Sequence, residues 1–322
     1  MSILFVYLSP WKTYNMFYEK KKGRCVMEVI RLYPECIKCL LSKQLEKCPE
    51  DAPLDKKVEY SQKVLQVVAN APKNVSAPVL ARKMYDIQKE MFGISVDYTE
   101  IKSYFNRLML SLEERLWKSI LEAKEPLKQA VQYTMIGNYI DFAAVKDVDE
   151  KVLLSFLEKA KDEKVDEREL SDLEEELKKG GELVYLLDNC GEIVTDKLLM
   201  RLIKEKYPNV HITAMVRGGA VLNDATREDA KEVQLEKIAC ITDSGSNIAG
   251  TSLEEISSEA KAIIDHADLI IAKGQGNFET LHQCGKNIFY IFMCKCNMFT
   301  TRFMLPQFTG VLALGQKPSH AP

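Results

Sequence analysis

No stretch of this 322-residue chain reaches the roughly 18 consecutive apolar residues that a membrane-spanning helix requires, so an integral membrane protein is not expected. Charge of one sign is lacking too. Lys and Arg total 44 against 47 Asp and Glu, and a net charge of −3 gives no global reason to expect nucleic acid or an anionic membrane as partner. No G-x-x-x-x-G-K-[ST] occurs and no G-x-G-x-x-G follows the first predicted strand, which disfavours a Walker loop and a dinucleotide site. The four histidines form neither H-x-x-x-H nor H-E-x-x-H, so a zinc hydrolase is unsupported.

A secretory signal is also missing. Met1 to Leu8 are apolar, but no basic segment precedes them, Pro10, Trp11 and Lys12 interrupt them, and Lys20 to Lys22 follow. With nine cysteines, an odd number scattered along the chain, this points to a reduced, cytoplasmic protein. Met27 opens a more ordinary start, and residues 1–26 are expected to be an extension or a disordered arm.

Residues 27–179 read as a helical domain. Val58, Leu65 and Val68, then Val79, Leu80, Met84 and Ile87, then Ile101, Phe105, Leu108, Leu112 and Leu116 recur near helical spacing, with breaks at Ala71-Pro72, Gly93, Pro126 and Gly137. The Glu- and Lys-rich run over 147–179 reads as a solvated helix face. Cys36-Ile-Lys-Cys39 lacks the second pair of a structural zinc site. Two small buried residues on a helix are its simplest reading, and a metal or redox role is the alternative.

From Gly180 to residue 322 the pattern alternates strand and helix. Leu183 to Leu187 form a continuous apolar run, and further strands are predicted at 210–216, 237–242, 267–272 and 287–293. Such alternation implies an α/β domain: a mostly parallel sheet with helices on both faces and every strand exit on one rim. The exits carry Asp188-Asn189, then Arg217 with Asn223-Asp224-Ala225-Thr226, then Asp243 to Asn247, then Lys273-Gly274-Gln275-Gly276-Asn277, then Lys295.

Acids on this rim (Asp188, Asp224 and Asp243) with Asn189 offer hard oxygen donors suited to a divalent cation, whereas Arg217, Lys273, Lys295 and the glycine-rich amides suit a phosphate. A metal facing cations across one cleft calls for an anion between them, and a phosphate ester fits. Each piece has a plainer reading. Asp188-Asn189 can be a helix cap, Thr226 with Asp229 a capping box, Lys273 to Asn277 a turn, and Cys294 and Cys296 packing residues.

In order, Asp188-Asn189-x-Gly191-Glu192-x-x-x-Asp196, Asn223-Asp224-Ala225-Thr226 with Asp229-Ala230, Lys273-Gly274-Gln275-Gly276-Asn277-x-Glu279 and Lys295-Cys296 resemble the motifs of the damage-control phosphatase family, once called domain of unknown function 89. Cys36-x-x-Cys39 and Gly137-Asn138-x-x-Asp141-Phe142 resemble its CxxC-bearing prokaryotic branch. The resemblance covers about residues 27–313. It implies a three-layer α/β/α sandwich with a mostly parallel sheet plus an N-terminal all-helical domain, and a metal-dependent phosphatase acting on small phosphometabolites such as sugar phosphates.

By the same resemblance, Asp188, Asn189 and Asp224 match metal ligands for Mn, Co, Ni or Mg. Lys295 and the loop of Lys273, Gly274, Gly276 and Asn277 match phosphate-holding positions, and Arg217, Thr226, Asn138 and Asp141 join the expected substrate pocket. Cys190 departs from the small Ala the family often has there. Either Glu192 or Asp188 is expected to move the proton, by a metal-activated water or through an aspartyl-phosphate. A non-catalytic phosphosugar- or nucleotide-binding module is the alternative from another class. A methyltransferase would need a glycine loop that Asp188 to Glu192 does not supply.

Overall fold

The structure is a computed structural model that describes residues 32–94, 96–137, 155 and 157–315. The helices that come first include α1 (Pro34–Glu46), α2 (Leu54–Ala69), α3 (Ala77–Phe92), α4 (Thr99–Glu122), α5 (Pro126–Gly137) and α6 (Glu167–Lys179). Strand and helix then alternate through β1 (Gly181–Leu186), α7 (Glu192–Lys206), β2 (Val210–Val216), α8 (Arg227–Glu232), β3 (Cys240–Asp243), α9 (Ser258–His266), β4 (Leu269–Lys273), α10 (Gly274–Leu281), β5 (Ile288–Met293), α11 (Asn297–Phe303) and β6 (Gly310–Leu314).

The sheet runs β3-β2-β1-β4-β5-β6, parallel except for β6, which pairs antiparallel with β5. Because side chains alternate across a strand, Leu183, Tyr185 and Leu187 enter one core, with α4, α5, α6 and α7, while Val184 and Leu186 enter the other, with α9, α10 and α11. Burial on both faces explains why β1 and β5 read as apolar runs rather than alternations. On the second face the ring of Phe278 packs 5.0 to 5.5 Å from Tyr290, Phe292, Phe299 and Phe303. Helices cover both faces, as expected of a three-layer α/β/α arrangement.

The helices before Gly180 fall into two sets by packing. α4 and α5 lie on α7 and share the core of the sheet, whereas α1 to α3 enclose a smaller core around Tyr60, Val64, Leu80 and Met84. Helix α6 turns Leu170, Leu173 and Leu177 inward, and Asp166 caps its start by accepting from the amides of Arg168 and Glu169. Most of its charged residues take the outer face, while Glu169 accepts from the amide of Leu314 and Glu176 from Asn287.

The third strand is shorter than predicted. Leu235–Lys237 form a 3-10 turn, and pairing begins only at Cys240. The sixth strand lies beyond the five read from the sequence. From β1 the chain steps to β2 and β3 on one side, then returns to β4, β5 and β6 on the other. The reversal opens a crevice at the carboxyl ends of β1 and β4, where open α/β sheets receive ligands.

Candidate active site

The exits of β1 and β2 are stitched together by backbone. The amide of Cys190 donates to the carbonyl of Asn223 (2.9 Å) and that of Ala225 to the carbonyl of Asp188 (2.7 Å), so Asn189 and Asp224 face each other in an isolated antiparallel bridge. Residues 35 apart in the chain are thereby held side by side. Asn106 on α4 fastens the same loop from outside. Its Oδ1 accepts from the amide of Gly191 (2.7 Å), and its Nδ2 donates to Asp229 (2.9 Å) and Glu232 (2.8 Å) on α8. Lys102, one turn earlier, pairs with Asp229 at 2.6 Å.

Arg217, at the end of β2, is buried between the two acids. Nε donates to Asp224 Oδ2 (2.6 Å), Nη2 to Asp188 Oδ1 (3.3 Å), and Nη1 lies 3.5 Å from Asn277 Oδ1. Two carboxylates from different strand exits therefore converge on one guanidinium. The carboxyl of Asp188 is pushed up to about 8, first by burial, then by Asp224 and Glu192, with Arg217 and Lys295 opposing. Lys295 follows the end of β5, and its backbone amide donates to Gln275 Oε1 at 3.3 Å.

Gly274, at φ +77°, opens α10 against the same carboxylate. A Cβ there would lie 2.7 Å from Asp188 Oδ1 and closer still to Cγ and Oδ2, so only glycine allows this approach. Lys273, just before it, faces inward. Its ammonium donates to Glu192 Oε1 (2.5 Å), to the carbonyl of Thr134 (2.8 Å), and pairs with Asp196 Oδ1 (2.9 Å). Glu192, Asp196 and Lys273 are each 0 % exposed, so all three protons of the ammonium are taken within the protein. Burial opposes the charge on Lys273, but Asp196 and Glu192 raise its pKa. Asp196, in turn, is pushed up to about 7, chiefly by burial.

The remaining expected residues separate by position. Thr226 spends its hydroxyl and amide on Asp229 Oδ2 (2.9 and 2.7 Å), the capping box that was its plainer reading. Asn277 is fully buried and donates to the carbonyls of Lys273 and Leu187. Gly276 lies so near the carbonyl of Ala249 that no Cβ fits. Asp243 pairs with Arg227 at the rim's outer edge. Asn138 and Asp141 lie outside the described residues. Lys102 and Asn106 escaped the sequence reading, and their one signal is a lysine and an amide on the face of α4 that also carries Phe105 and Met109.

Among the described residues no trio of His, Cys, Asp and Glu is arranged to hold a metal ion. The candidate set is instead two carboxylates gathered around Arg217 and the amide of Asn189 bridged to Asp224, hard oxygen donors whose chemistry fits a divalent cation of the Mg or Mn type. Beside this cluster lies a cavity of about 1170 Å³, walled by Tyr85 and Gln88 of α3, Tyr98, and the loop 218–222, and bounded on the rim side by Arg217 and Thr226.

A doubly wound sheet with acidic and basic strand exits around one crevice places the chain in the class of α/β proteins that receive ligands at the carboxyl ends of their strands. More specifically, residues 32–306 match the model of the damage-control phosphatase ARMT1-like domain, and the chain belongs to that family. It is 29 % identical to the damage-control phosphatase PH1575 of Pyrococcus horikoshii over 280 residues, covering 85 % of this chain and 94 % of that one. A damage-control phosphatase of Archaeoglobus fulgidus is 31 % identical over 277 residues, with coverage of 83 % and 93 %. The crystal structure of the DUF89 family protein from Pyrococcus horikoshii superposes with a TM-score of 0.74 at 27 % identity, covering 88 % of this chain and 99 % of that one. Family membership supports a phosphatase serving metabolite damage control. Among the described residues no helix is long and apolar enough to cross a membrane.

Proposed function

We propose that the protein is a metal-dependent phosphomonoester hydrolase acting on small phosphometabolites, sugar phosphates among them. The observation that carries this reading is the convergence of Asp188 and Asp224 on Arg217, with Asn189 bridged to Asp224. Asp188, Asn189 and Asp224 would hold the ion, Mn, Co, Ni or Mg. When bound, it supplies Lewis-acid polarisation of the phosphoryl group and a more acidic water.

The protein's own groups do the rest. Lys295 and Arg217 bring positive charge to the phosphoryl oxygens. The first turn of α10, whose preceding residue Lys273 gives no side-chain cap, offers backbone N–H groups to an anion. Of the two acids considered for proton transfer, each is hydrogen-bonded at both oxygens, but Glu192 is fully enclosed whereas the side chain of Asp188 is 13 % exposed. Proton handling therefore falls to Asp188. The neighbouring cavity is at the large end of small-molecule sites and leaves room for the organic part of the ester.

The test is phosphate release from a panel of sugar phosphates and other monoesters, after EDTA treatment and after adding back Mn²⁺, Co²⁺, Ni²⁺ or Mg²⁺. Turnover that EDTA abolishes and a metal restores, and that Asp188→Ala removes, is expected. Binding without release under every metal would replace the enzyme with a binding module. A phosphorylated Asp188 peptide trapped during turnover would replace the water mechanism with a covalent one.

A further inference from the structure

Asn189 can serve a cation only with its oxygen, and which end of the amide faces outward is decided beneath it. Nδ2 of Asn189 donates to Asp188 Oδ2 (2.9 Å) and to Glu192 Oε2 (2.9 Å), so both of its protons are committed to carboxylates. Turning the amide over would set its oxygen against two acid oxygens. Glu192 is itself held, because its other oxygen takes the ammonium of Lys273 at 2.5 Å. Asp196 and the Thr134 carbonyl immobilise that ammonium in turn, and Tyr185 donates to Asp196 at 2.8 Å. The chain Lys273, Glu192, Asn189 is buried at every member.

We propose that Glu192, anchored by Lys273, is a positioning residue that sets the orientation of the Asn189 amide and so presents Oδ1 to the divalent ion. Lys273 and Glu192 then touch neither substrate phosphate nor water. Groups behind metal ligands act in this way elsewhere, and their loss lowers metal affinity by roughly 10- to 100-fold. The inference rests on the metal-site reading above, and its test separates the two.

Glu192→Gln keeps the shape of the side chain but brings an NH₂ group that can meet Asn189 and favour the reversed amide. Mn²⁺ binding is measured by isothermal titration calorimetry, with circular dichroism and the thermal midpoint recorded alongside. The wild-type protein is expected to bind, and Asp224→Ala to lose binding. Glu192→Gln should bind roughly 10- to 100-fold more weakly.

The decisive variant is the double substitution Lys273→Met with Glu192→Gln, which removes the ammonium that holds the glutamine oxygen away from Asn189 and so lets that oxygen turn to accept from Asn189 Nδ2. It is expected to regain most of the affinity lost in Glu192→Gln, since both partners of the buried pair are then neutral. Wild-type affinity in Glu192→Gln overturns the inference. If Glu192→Gln fails to fold, the double variant decides, and binding there more than tenfold weaker than wild type overturns it. Undiminished binding in Asp224→Ala would instead sink the metal-site reading itself.

Discussion

Gly274→Ala tests whether the carboxylate of Asp188 is where the chemistry happens. The substitution has two separable consequences. Backbone strain comes first. At φ +77° an L side chain costs roughly 1–2 kcal/mol, which in a protein of this size lowers the thermal midpoint by about 2–8 °C. The second is local. The new Cβ would stand 2.7 Å from Asp188 Oδ1, and nearer to Oδ2 and Cγ, where ordinary contact begins at 3.4 Å. The carboxylate must retreat by roughly 1 Å or more, and a displacement of that size typically reduces turnover on the order of 100-fold.

Gly285 supplies the control. Its φ is +76°, yet nothing lies within 4 Å of a Cβ placed there. Gly285→Ala should therefore lose a similar few degrees of stability and keep its activity. Steady-state kcat/KM on the best ester of the panel, with differential scanning calorimetry on both variants, gives the comparison. Activity within threefold of wild type in Gly274→Ala would refute the assignment of Asp188 to the reacting centre.

Two further outcomes are expected. Asn106→Ala leaves the buried Gly191 amide without its acceptor, which costs about 1–3 kcal/mol, read as a lower urea midpoint. With the β1 and β2 exits no longer tied to α4, kcat/KM should fall roughly tenfold or more in the same variant. Asp196, raised to about 7 from an ordinary value of 3.8, weakens the fold as pH climbs through that interval, because the charged carboxylate is favoured by the unfolded chain. The thermal midpoint of Asp196→Asn should accordingly gain on that of the wild type as pH rises from about 4 to about 8. A wild-type advantage that grows with pH would show the opposite sign.

Much of the framework was legible because the sheet is buried on both faces. Continuous apolar runs marked β1, β4 and β5, and β2 falls on the predicted residues 210–216. The strand exits were legible as well, since parallel strands send them all to one rim, and that rim brings Asp188, Asn189, Arg217 and Asp224 together. Direction was not. A lysine at the end of β4 can turn outward to an anion or inward, and the inward choice for Lys273 depends on Glu192 and Asp196, placed by a helix that precedes it by some eighty residues. Asn106 was hidden for a similar reason, because helical periodicity weighs apolar residues and passes over an amide beside Phe105. The last strand pairs in the opposite sense to the rest, outside the alternation of parallel strand and helix by which the others were read.

The separate packing of α1 to α3 has a consequence for how such a protein changes over time. The groups that would grip the ion hang from the sheet and α4, whereas α3 walls the adjoining chamber from a hydrophobic nucleus of its own. Tyr85 or Gln88 can be exchanged without disturbing a single hydrogen bond among Asp188, Asn189, Arg217 and Asp224. On the proposed function, selectivity for the organic half of an ester can drift through that wall while the groups proposed to break the bond stay as they are.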